Sequence, residues 1–238
     1  MRSRTPSRSK RFALLTVAFV AVSAQAIVLG VDYEEGGYAG TRDEGHGEVV
    51  YNFLKHFSYE QYYYAAGHQW TWNNDNRVDG VDFGVFAGHG NRWGFRCEDG
   101  TWVDLSSAGS WGDLGYGDND CEFVAFESCR VVPSPIDVTD WYTNWTKAGA
   151  IFDGLHQALG FRSDSTQARD EDITEYFGDR IARNYAVWDA WLDAIDREGR
   201  SSEYGCAVMH PDADGDTYRD KCADPPRDHT ALRCWYQY

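Results

Sequence analysis

Short apolar runs alternate with longer one-sided segments along this chain. Residues 81–88 (VDFGVFAG) form a continuous apolar run closed by Gly-His-Gly, the length of a strand buried on both faces. Residues 122–128 (EFVAFES) repeat the pattern and lead into Cys129-Arg130, and residues 149–155 form a third run ending on His156. Elsewhere the period changes from strand to helix. Val49, Val50, Phe53, Leu54 and Phe57 give residues 48–57 one apolar side. Ile173, Phe177 and Ile181 predict a helix over 166–183. Val187, Trp188, Trp191, Leu192 and Ile195 predict another over 185–198, with Gly199 as its stop. Residues 27–47 read as a short strand and a Gly/Glu-rich loop, 61–66 as an aromatic strand, 92–120 as long loops, and 204–209 as a last strand. Strands interleaved with helices predict an α/β fold, a mainly parallel central sheet flanked by helices. In such sheets ligands gather at the carboxyl ends of the strands.

The N-terminus adds a location. Arg2, Arg4, Arg8, Lys10 and Arg11 make a basic leader, residues 12–22 are apolar, and Ser23-Ala24-Gln25-Ala26 supplies a small-x-small cleavage pattern. Residues 1–26 therefore read as a signal peptide, because an apolar run of 11 residues is shorter than the roughly 20 needed to span a bilayer. Cleavage leaves 27–238 as one domain with an acidic, Cys-containing C-terminal segment, about 204–238. The formal charge of −16 moves to −21 once the five leader cations leave (22 − 5 = 17 basic against 38 acidic). That field repels phosphate backbones and anionic lipid, which argues against nucleic acid as a partner and against a membrane after signal cleavage.

Export also changes how the cysteines read. Cys97, Cys121, Cys129, Cys206, Cys222 and Cys234 form an even set, expected to be disulfide-bonded in an oxidising compartment. Cys97 and Cys121 flank one loop and suit one bridge; two of Cys206, Cys222 and Cys234 suit another. Three full bridges would consume Cys129.

Cys129 matters because two predicted strands end on reactive residues, His89-Gly90 and Ser128-Cys129, 40 positions apart. Parallel strands bring both ends to one edge. A thiol with a reference pKa of about 8.5 needs a neighbouring imidazole to become a nucleophile at neutral pH. Backbone N–H groups of Gly90 and Cys129 would supply an oxyanion site. Asp79, Asp82 and Glu127 are candidates to orient His89, and Glu127 would also raise the thiol pKa or repel an acidic substrate. His156, Glu127 and Asn91 are candidate lining for the substrate cleft.

An apolar strand ending in His-Gly, followed by another ending in a small residue and Cys, resembles the caspase–legumain–gingipain clan of cysteine peptidases. WNNDNRVDGVDFGVFAGHGNRWGF and the later GLHQALGF are similar to an uncharacterised family of secreted caspase-like proteins. The likeness covers roughly residues 28 to 200. It implies a caspase-like three-layer sandwich, His89 as general base or acid, Cys129 as nucleophile and an oxyanion site at Gly90. Glu127-Ser128 departs from the plainer apolar approach to the Cys in many members of the clan.

Near the C-terminus, Asp212, Asp214, Asp216, Tyr218 and Asp220 alternate as in a calcium loop, although Thr217 stands where a turn glycine is usual. The seven His residues show no zinc spacing. Trp70, Trp72 and Trp93 offer a sugar-stacking platform, with a core role as the competing reading. The sequence thus supports two functions: a secreted Cys–His hydrolase acting on a peptide or protein substrate without a required cofactor, or a secreted binding protein on the same fold, held by disulfides and calcium. It carries no signal for oligomeric state.

Overall fold

The computed structural model describes residues 27–31, 45–57, 61–63, 66–106, 121–147, 150–152, 154–222 and 231–238. The leader, 1–26, lies outside the described residues. The strands are β1 (Ile27–Val31), β2 (Gln61–Tyr63), β3 (Phe83–Ala87), β4 (Gly90–Asn91), β5 (Gly94–Arg96), β6 (Trp102–Asp104), β7 (Phe123–Glu127), β8 (Gln157–Phe161), β9 (Gly205–Met209) and β10 (Arg233–Tyr236). Seven of them form one sheet in the order β10-β9-β8-β7-β3-β1-β2. β2, β1, β3, β7 and β8 run parallel, while β9 and β10 pair antiparallel. The chain is a mixed α/β protein with a mainly parallel sheet and flanking helices.

The central strands carry little but apolar side chains because both of their faces are covered. Phe83, Val85, Ala87, Phe123, Ala125, Leu159 and Phe161 point to one side, against helices α1 (Gly45–Leu54), α3 (Gln167–Ala182) and α4 (Val187–Glu198). Phe53, Phe83, Phe177 and Trp191 form a chain of ring contacts there, at centroid distances of 5.1 to 6.0 Å. Phe86, Val124, Phe126, Ala158 and Val208 point to the other side, against α2 (Trp141–Thr146), the small β4-β5-β6 sheet and irregular chain. Full burial of two faces requires the unbroken apolar run seen in the sequence.

Three expectations are corrected. The third parallel strand is Gln157–Phe161, not 149–155. Gly154 takes φ 102°, which breaks an extended chain there, and Ile151, Phe152 and Leu155 are buried as irregular packing on the α2 side. Within the stretch predicted as long loops, 92–120, β5 and β6 pair antiparallel. Trp70, Trp72 and Trp93 form no platform: Trp70 is core against Phe86 and Phe95, Trp72 is exposed, and Trp93 packs on Trp145.

Among the described residues no disulfide links the cysteines, Cys97 and Cys121 included. Cys121 is buried and donates to the Phe123 carbonyl at 3.4 Å. Cys206 and Cys234 instead approach to 3.3 Å across the antiparallel β9–β10 pair. A mild disulfide oxidant is expected to join these two, shown by peptide mapping. Closing a separation of 28 residues should raise stability by about 3 kcal/mol, read as a higher Tm that Cys234→Ser abolishes.

Candidate active site

β3 and β7 are neighbours, paired in register from Phe83↔Phe123 to Ala87↔Glu127. One hydrogen bond continues the pairing, from Gly88 N–H to the Glu127 carbonyl (3.1 Å). The Ser128 hydroxyl adds a second, donating to the Gly88 carbonyl at 2.7 Å. His89 and Cys129 are therefore the next residues out of adjacent strands, at the same carboxyl edge. His89 is exposed and Cys129 is partly buried.

The same loops bring in Gly90. A Cβ on Gly90 would meet Val131 Cγ2 at 2.4 Å, Ser128 Cβ at 2.7 Å and the Cys129 carbonyl oxygen at 3.2 Å. The glycine is thus demanded by packing against the Cys129 turn. This differs from the sequence argument, which gave substrate approach as its reason. Asn91 follows at the exposed rim. Arg130 adopts φ 59°, a left-handed conformation that is uncommon for a side chain of this size.

Two residues missed in the sequence complete the surroundings. His46 lies in the first turn of α1, 4 % exposed, with its ring edge-on to His89 at 5.7 Å. The apolar spacing began at residue 48, so His46 fell outside the predicted helix. Ser165, just before α3, donates its N–H to Cys129 Sγ at 3.4 Å, with its carbonyl oxygen 3.7 Å and its hydroxyl 3.8 Å from the sulfur. No local pattern marks a loop residue that meets its partner through the sheet.

Glu127 is 1 % exposed, and neither carboxylate oxygen has a hydrogen-bond partner. Burial pushes its carboxyl well above the usual carboxylate range, and the nearby Asp170 and Glu203 add to that push. It sits inside the molecule beneath the edge rather than lining an open cleft, and it is biased toward the neutral form.

Other candidates lie elsewhere. His156 precedes β8, so it stands at the amino edge, opposite Cys129; its N–H bonds the Glu122 carbonyl at 2.8 Å. The shifted strand boundary moved it from exit to start, and it leaves the cleft. Its buried Nδ1 lies 2.7 Å from the half-buried Asp216. Asp79 and Asp82 precede β3 and are buried at that same amino edge, away from His89.

The proposed calcium ligands diverge. Asp216 serves His156; Asp214 accepts from Arg233 and Trp235, at 2.7 Å each; Asp220 accepts from the Thr217 N–H at 2.7 Å; Asp212 is exposed. Tyr218 is buried in the core against Phe57. Among the described residues no group of three or more His, Cys, Asp or Glu is arranged to hold a metal ion. Donors already satisfied by the protein leave little for a cation.

Two substitutions test this arrangement. Gly90→Ala should cost about 1–3 kcal/mol by overpacking the Cys129 turn, seen as a fall in Tm of roughly 2–4 °C per kcal/mol. Glu127→Gln should act in the opposite direction and with pH. A carboxyl raised in the folded state favours the protein below the unfolded value of 4.5 and disfavours it as pH rises through the folded value. The variant should therefore melt higher than the parent at pH 8, by about 1–3 kcal/mol, and match it at pH 4. Equal melting at both values would contradict a buried, unpaired Glu127.

No curated protein matches the chain. A family model described as Domain of unknown function (DUF6345) matches residues 21–230, a span that takes in β1 to β9, His89 and Cys129. The chain belongs to the DUF6345 family.

Proposed function

We propose that this protein is a secreted cysteine hydrolase on a caspase-like three-layer sandwich, cleaving peptide or amide bonds with Cys129 as nucleophile and His89 as general base and acid. The observation that carries the reading is the shared exit of a free thiol and an imidazole from two adjacent, in-register parallel strands. In the reaction, Cys129 Sγ attacks the substrate carbonyl carbon and its proton passes to the His89 ring. His89 then returns that proton to the leaving amine, and water hydrolyses the thioester. The Gly90 and Cys129 N–H groups would face the developing oxyanion. His46 positions the His89 ring from behind. No cofactor is needed for this chemistry. The substrate is a peptide or protein met outside the cytoplasm; the chain's acidity disfavours nucleic acid, and no membrane contact is expected after signal cleavage.

A second reading draws on a different observation. Ser165 engages the Cys129 sulfur through its N–H, a restraint suited to a structural thiol. On that reading the protein is a secreted binding or structural protein on the same fold, stabilised by a Cys206–Cys234 disulfide.

Native alkylation separates the two. Under the hydrolase reading, iodoacetamide modifies Cys129 first, mapped by mass spectrometry, and His89→Ala slows that reaction by about tenfold or more. Hydrolysis of a reporter peptide mixture should fall by about 100-fold or more in His89→Ala and disappear in Cys129→Ala. An alkylation rate at Cys129 unaffected by His89→Ala would remove the dyad and leave the binding reading.

A further inference from the structure

Three acidic side chains crowd together just inside the carboxyl edge. Glu127, Asp170 and Glu203 are 1 %, 4 % and 4 % exposed. Each comes from a different piece of chain: Glu127 ends β7, Asp170 is in the first turn of α3, and Glu203 lies in the connection from α4 to β9. Glu127 shares the parity of Phe123 and Ala125, so it points to the face covered by α1, α3 and α4. No hydrogen bond reaches either of its carboxylate oxygens. Glu203 accepts the Arg200 N–H on Oε2 at 2.6 Å, while its Oε1 is buried without a partner.

Hydrogen bonds tie the same three pieces of chain together, with residues 163–165 at their centre. The Arg130 N–H donates to the Ser163 carbonyl at 2.9 Å. The Tyr204 N–H donates to the Ser163 hydroxyl at 2.8 Å. The Ser165 N–H donates to Cys129 Sγ at 3.4 Å. This clamp joins the Cys129 turn, the start of α3 and the 199–204 connection. Cys129 stands two residues beyond Glu127, Ser165 five before Asp170, and Tyr204 next to Glu203. Whatever forces the three carboxyls apart therefore pulls on the contact between Ser165 and the sulfur.

The charged groups that act on Glu127 are Asp170 from α3 and Glu203 from the 199–204 connection, both acidic. On β3 its ladder partner is Ala87, and β8 presents Phe161 to the same face, so neither strand brings a charge. On α1, His46 stands against His89, and Glu48 acts on Glu171, the residue after Asp170. Burial and the two acidic neighbours hold the Glu127 carboxyl well above the usual range, so it takes up its charge only as pH rises. That charge would find no hydrogen-bond donor and two neighbours of like sign. Opening a few local contacts is the cheaper response, because the cost of unfolding the whole sheet is far larger. The long contact to sulfur is among the first to give.

We propose that Glu127, Asp170 and Glu203 form a proton-operated latch on the Cys129 turn. With Glu127 neutral the clamp holds and Ser165 stays on the sulfur; with Glu127 charged, residues 163–165 lift from β7 and Cys129 Sγ is released. The latch governs access to the thiol and holds whether Cys129 is a nucleophile or a structural group, so its test does not use hydrolysis. Hydrogen exchange of the protein, read by mass spectrometry and corrected for the intrinsic pH dependence of amide exchange, is compared at pH 5 and pH 8. Peptides covering 163–170 and 200–204 should lose protection by at least about tenfold at pH 8, while β3 keeps its own. Glu127→Gln should stay protected at both pH values. Glu171→Gln, which removes the neighbouring acid outside the cluster, should behave as the parent. Glu203→Gln takes away one flanking charge and should move the loss to higher pH; it decides the question should Glu127→Gln fail to fold. Equal protection at both pH values in the parent would overturn the proposal, as would a loss that persists in Glu127→Gln, stays at the same pH in Glu203→Gln, or vanishes in Glu171→Gln. A loss shared equally by β3 would mark a change in global stability and would overturn it too.

Discussion

Everything at the carboxyl edge depends on the in-register pairing of β3 with β7. The two strands are separated by 40 residues of sequence, yet Ala87 stands opposite Glu127 and their hydrogen bonds run one step beyond the ladder. Side-chain direction in a strand alternates with period two, so a slip of one residue would send His89 and Cys129 to opposite sides of the sheet. Register is held because both faces are buried: Phe83, Val85, Phe123 and Ala125 must meet the helices while Phe86, Val124 and Phe126 meet the other layer. The core that stabilises the fold and the geometry that brings His89 and Cys129 to one edge are one constraint.

That constraint has a cost at its end. Glu127 shares the register of Ala87, and it is carried into the interior with no hydrogen-bond partner for its carboxylate. Asp170, in the first turn of α3, and Glu203 raise its carboxyl further. A buried acid in the neutral form is cheaper than a buried charge. The strain visible at Arg130 and the exclusion of any side chain at Gly90 belong to the same crowded turn. Several local rules are broken together at this turn.

The electrostatic character of the edge is equally uneven. The molecule is acidic as a whole, but a basin beside Cys129 gathers Arg92, Arg130 and Arg162 from three separate connections. Only one of them, Arg162, is locked by a bidentate carboxylate. The amino edge is the reverse: Asp79, Asp82, Glu122 and His156 are buried there, with the half-buried Asp216 on His156. The two ends of one sheet therefore present different chemistry, and the carboxyl end is the one that holds His89 and Cys129.

The apolar runs alone determined β3 and β7, because a strand buried on two faces admits few other residues. The one-sided spacings determined α3 and α4 to within two residues. The exit of His89 and Cys129 from consecutive central strands was legible for the same reason. Tertiary structure decided the rest. It moved the third strand from 149–155 to Gln157–Phe161, since an apolar run can be buried as irregular chain when a glycine at φ 102° breaks it. That shift carried His156 to the far edge. It also brought Cys206 to Cys234. His46 and Ser165 had no sequence signal, because each meets His89 or Cys129 only through contacts between elements that are distant in the chain.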